Sequence, residues 1–127
     1  MTTGTLDREE CLELLATASM GRVALSANAL PTVLPVSFRL MGDRIVFRTA
    51  GRGSTPHVVA FQVDDIDPQS HVGWSIVVTG VAHQVTDPSE LAEMESAVPP
   101  EWTAGDEARL VALSLERVVG HRLVGAP

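Results

Sequence analysis

The chain has 127 residues, 45% of them hydrophobic and 20% charged, which fits a single globular domain over residues 1–127 and leaves no room for two. A net charge of −7 argues against nucleic acid or an anionic membrane surface as a partner. The lone cysteine, Cys11, excludes an intrachain disulfide and points to a reducing cytoplasm.

No apolar run has the length of a bilayer span, and the first residues lack the basic-then-apolar order of a secretion signal. Every basic residue is arginine, and the absence of tyrosine removes phenol-based acid chemistry.

Leu6-Asp7-Arg8-Glu9-Glu10 starts a helix. Asp7 can cap it, Glu10 is the capping-box partner, and Leu6 can staple against Cys11. Leu12, Leu15 and Ala16 continue an apolar stripe that stops near Ser19-Met20-Gly21. Arg22 to Ser26 reads as a first strand with Val23 and Leu25 inward. Asn28 to Pro31 then turns the chain into a second.

In that second strand Leu34, Val36, Phe38 and Leu40 share one face, while Val33, Pro35, Ser37 and Arg39 share the other. Met41-Gly42-Asp43 supplies a turn, and the third strand, from Arg44, resumes the apolar face with Ile45 and Phe47. It runs out into Arg48-Thr49-Ala50-Gly51-Arg52-Gly53-Ser54-Thr55. Backbone donors, hydroxyls and two guanidinium groups concentrate there, a composition that suits a phosphate. The plainer reading is a flexible hairpin loop, because Gly-x-Gly alone carries little information.

A fourth strand covers His57 to Asp64, followed by the turn-rich Asp64 to Ser70. A long fifth strand covers Gly73 to Thr86, and Gly80 within it marks a bulge or a close approach. Asp87-Pro88-Ser89-Glu90 starts a second helix, with Leu91, Met94 and Val98 on one face, ended by Pro99-Pro100. A last strand, Arg109 to Val119, places Val111, Leu113, Leu115 and Val119 on one side, with Arg117 breaking the pattern. Six strands, two helices and no βαβ rhythm point to a closed or partly closed antiparallel barrel.

Hydrolysis finds no support, since neither a serine–histidine–carboxylate set nor paired carboxylates stand out. His57, His71, His83 and His121 share no metal-ligand spacing on one face, so no metal site is expected. Cys11 reads as a packing residue, and the acidic run from Asp64 to Asp67 as a solvated turn.

The order and spacing of these segments resemble the split-barrel flavoproteins related to pyridoxamine 5′-phosphate oxidase. The resemblance runs from Leu6 to Leu123. Leu6 to Leu15, Gly21 to Leu25, Pro31 to Arg39, Val46 to Thr49, Val59 to Asp64 and Gly73 to Gly80 carry it. It implies a mainly β fold, a six-stranded antiparallel split β-barrel of Greek-key type with two or three short helices. It also implies a homodimer holding a flavin, FMN, at each end of its interface and acting on a small molecule.

On that resemblance the ring lies along Leu34, Pro35, Val36 and Ser37, with Arg39 near the phosphate end. Arg48, Thr49, Arg52, Ser54 and Thr55 hold the phosphate. Ser75 adds a polar contact with Trp74 beside it, although Trp74 reads first as a core or interface aromatic. A deazaflavin coenzyme is the alternative cofactor, haem ranks last, and one branch is similar to nitroimidazole-resistance proteins. Two departures stand out. The connection after Ser54 is about two helical turns shorter than the family's. The arginine pair with which true pyridoxamine phosphate oxidases hold their substrate is also missing, so that activity is not expected. The other readings are a non-catalytic flavin- or haem-binding module and a barrel that has lost its cofactor.

Overall fold

The structure, a computed structural model, describes residues 2–27, 29–49, 57–98 and 109–124. In chain order these form β1 (Thr2–Leu6), α1 (Arg8–Thr17), β2 (Met20–Ala27), β3 (Leu30–Met41) and β4 (Arg44–Thr49). Then come β5 (His57–Ile66), β6 (Gly73–Gln84), α2 (Pro88–Ala97), β7 (Arg109–Ser114) and β8 (Arg117–Val124). The strands follow one another as β1-β8-β6-β5-β2-β3-β4-β7, and β7 returns to pair with β6. That return closes β2, β3, β4, β7, β6 and β5 into a six-stranded antiparallel barrel, as the alternation and turns predict. The two helices pack outside it, and β8 and β1 extend the sheet beyond β6.

The barrel fills with the inward faces that alternation marks. Val23, Val36, Phe38, Ile45, Phe47, Phe61, Val63, Ile76 and Val78 are buried, and the three phenylalanines meet at its centre. α1 begins with the expected capping box: Glu10 N–H donates to Asp7 at 2.8 Å and Asp7 N–H donates to Glu10 at 3.1 Å. Leu6 and Cys11 both face Gly120 on β8, where a Cβ would collide with the Cys11 sulfur. Burial pushes the Cys11 thiol up from its ordinary value, in keeping with a packing role.

The last strand departs from the expectation of one run from Arg109 to Val119. Leu115 and Glu116 interrupt it, β8 runs on to Val124, and the inward phase moves by one residue. Val118 then packs on the core, while Val119 lies opposite Val77 on the outer face. The break has a cause in β6, which pairs with β8 from Gly73 to Thr79 and with β7 from Ala82 to Gln84. Between them, at Gly80, the Ser114 carbonyl approaches so closely that no Cβ fits, and Ser114 Oγ accepts the Val81 N–H at 3.0 Å. β1 was not legible either; its five residues pair only with β8.

α2 lies over β4 and β7, where Met94 and Val98 join Val46, Val85, Leu110 and Ala112 in a second apolar cluster. Asp87 caps it. The Ser89 hydroxyl, then the Glu90 N–H, hold the Asp87 carboxyl below its ordinary range.

Candidate functional site

The outer face of β3, β2, β5, β6 and β8 is broad and half apolar. Strand register aligns Pro35, Arg22, Gln62, Val77 and Val119 in one row, and Val33, Ala24, Ala60, Thr79 and Arg117 in the next. Val33 and Val58 are more than half exposed on it, at 61% and 68%. β2 pairs with β5 over only Arg22 to Ala24. Beyond that short ladder an open groove of about 290 Å³ runs between Ser26, Val33, Val58 and Ala60.

β3 has an open side. β2 covers it from Leu30 to Ser37 and β4 pairs with it only from Phe38 to Met41. Among the described residues, no strand pairs with the other edge of Leu30 to Ser37. Phe38 N–H donates to Ser19 O at 3.0 Å, so even-numbered residues of β3 turn their backbone toward the β2 side. Pro31, Val33, Pro35 and Ser37 therefore aim theirs at the open edge. The two prolines fit there because they have no N–H to give a ladder. Among the described residues the edge offers the N–H groups of Val33 and Ser37 together with the carbonyls of Pro31, Val33 and Pro35.

The expected ligand residues separate by face. Pro35, Ser37 and Arg39 point outward on β3, and Arg39 stands opposite Val46. Ser37 Oγ donates to the Met20 sulfur at 3.3 Å. Arg39 is exposed, and its guanidinium donates to the carbonyl of its own neighbour, Phe38, at 3.0 Å. Leu34 has the inward phase but lies where β3 leaves the barrel, 37% exposed. The Val36 and Trp74 side chains are buried in the core, so neither can touch a ligand on the outer face. Arg48 shares the outer side with Arg39 but reaches under α2, whereas Thr49 has the opposite phase. Arg52, Ser54 and Thr55 lie outside the described residues, as does most of the connection judged short.

Ser75 belongs to a network that sequence reasoning missed. Gln62 Nε2 donates to Asp64 at 2.6 Å and to Ser75 Oγ at 3.3 Å, and Arg22 donates to Gln62 Oε1 at 3.0 Å. Arg22 also stands 3.6 Å from Asp64. Alternation shows that Gln62 and Asp64 share a face, but only the β2–β5 pairing brings Arg22 to them. Among the described residues no group of three histidines, cysteines or carboxylates could hold a metal ion. No helix there is long and apolar enough to cross a membrane.

The family model for pyridoxamine 5′-phosphate oxidase matches residues 7–122. The chain belongs to that family. Within the pyridoxamine 5′-phosphate oxidase family it is 38% identical to the uncharacterized protein Rv0080 of Mycobacterium tuberculosis, over 94% of this chain and 84% of that one. The FAD binding protein from Mycobacterium smegmatis superposes with a TM-score of 0.77 at 28% identity, covering 97% of this chain and all (100%) of the other. A conserved protein of unknown function from Corynebacterium diphtheriae superposes with a TM-score of 0.79 at 28% identity, covering 96% and 98%. Arg39 and Ser37 lie together on the outer face, whereas the Arg48 side chain is engaged by the end of α2.

Proposed function

We propose that the chain binds a flavin nucleotide, FMN by preference, on the outer face beside β3, between two copies of itself, and uses it for oxidoreduction of a small molecule. One observation carries this reading: the open edge of β3 ends at Ser37, with Arg39 two residues on, beside the exposed valines of a half-apolar face. A flavin has a matching layout, with a flat ring, a polar pyrimidine edge and a charged phosphate tail. The N–H groups of Val33 and Ser37 would meet the carbonyls of that edge, and Arg39 the phosphate. A second copy of the chain over Val33, Val58 and Val77 would exclude water from the ring. When bound, the flavin supplies the hydride or electron chemistry, which the protein's part is to orient and tune. Family membership and the FAD named for the M. smegmatis relative support the flavin part of this reading.

Parallel titrations with FMN, FAD, a deazaflavin coenzyme and haem test it, read by absorbance and flavin fluorescence, with sedimentation to follow the dimer. Selective binding of FMN by a dimer is the expected result. Binding of none of the four would sink the proposal. Arg39→Ala should cost about 1.5–3 kcal/mol of FMN affinity, through loss of a charge-assisted contact, and leave the melting temperature in place. An unchanged dissociation constant for that variant would remove Arg39 from the seat.

A further inference from the structure

Arg48 was expected among the phosphate ligands, yet its side chain is engaged elsewhere. Nε donates to the Val98 carbonyl at 3.0 Å and Nη2 to the Glu95 carbonyl at 3.4 Å. Those two N–H groups form the side-on fork of the guanidinium, the edge that best matches a carboxylate or phosphate. Here the fork grips the C-terminal turn of α2.

That turn needs such a partner. Its carbonyls have no onward helical partners and carry the negative end of the helix dipole. α2 has no basic residue in its last turn, and Glu90, Glu93 and Glu95 add negative charge along it. Met94 and Val98 are buried against β4 and β7, so the helix end is held close to the sheet that bears Arg48.

We infer that Arg48 is a positioning residue that clamps the end of α2 to β4, and that anion recognition on the outer face falls to Arg39 and Ser37 without it. The inference takes its ligand from the flavin reading, whereas the clamp stands independently of it. A phosphate approaching Arg48 meets only the remaining end-on edge, beside two carbonyl oxygens that already draw on its charge. Among the described residues the Arg39 guanidinium makes one hydrogen bond, to the adjacent Phe38 carbonyl, and no carboxylate pairs with it there.

The test compares Arg48→Ala, Arg48→Lys and Arg39→Ala by FMN titration and by hydrogen exchange of the α2 amides. In Arg48→Ala the α2 amides should exchange about tenfold faster or more, while FMN affinity stays within about threefold. Lysine keeps the charge but not the planar fork, so Arg48→Lys should not restore protection. Arg39→Ala should do the reverse, weakening FMN by about tenfold or more with α2 unchanged. A loss of about tenfold or more in FMN affinity in Arg48→Ala, whatever happens to α2, overturns the assignment. So does wild-type protection of α2 in that variant. If the unmodified protein ignores FMN, the flavin reading fails, and the exchange data still decide the clamp.

Discussion

Phe61→Ala is expected to destabilise the barrel by about 4 kcal/mol, a large part of the stability of a domain this size. Phe61 is fully buried. Its ring lies 5.1 Å from that of Phe38, edge to face, and 5.4 Å from that of Phe47. It also covers Gly21, where a Cβ would strike the ring. Removing it opens a void bounded by three strands of a closed barrel, which cannot collapse without breaking their ladders. Urea unfolding measures the effect as a lower midpoint at unchanged slope. A loss under about 1 kcal/mol would mean that the three rings are not the centre of the core.

Gly80→Val is the second large effect, about 3 kcal/mol, with Gly80→Ala in the same direction. The atom in the way is the Ser114 backbone carbonyl, which cannot rotate aside as a side chain would. Relief requires moving the Ser114–Arg117 corner, where the chain passes from β7 to β8. Strand β7 closes the barrel against β6 over three paired positions only, Ala82 to Gln84. A residue that displaces the corner therefore works on the seam itself. Thermal unfolding of the two variants should rank valine below alanine and both below the parent. Alanine as stable as glycine would show that the corner has room to give.

Most of the barrel was legible because its signal is local. Alternation along Val36 to Leu40, the Met41-Gly42-Asp43 turn and the Asp7 and Asp87 helix starts depend on neighbours in sequence, and each is where it was expected. The misses are all matters of pairing. β1 has no strong strand composition and exists because β8 offers it an edge. The break at Leu115–Glu116 follows from Gly80, more than thirty positions earlier, and moved Val119 from the inner face to the outer. The candidate site divides in the same way. The resemblance made Pro35, Ser37 and Arg39 candidates and phase put them on one face, and they do share the outer face. Arg48 has the outward phase as well, but its partner is a helix end roughly fifty residues on, which no local pattern reveals. Trp74 is a core residue because its inward phase on β6 outweighs the polar company it keeps in sequence.

The prolines of β3 have a consequence for solubility. A free strand edge next to exposed valines is the kind of template on which chains add strand to strand into aggregates. Pro31 and Pro35 each withhold the hydrogen that a new strand would need, and they are four residues apart on the edge that β4 leaves uncovered. Among the described residues too few donors remain on that edge to found a ladder, and in the flavin reading the same edge would admit a compact ligand while disfavouring another strand.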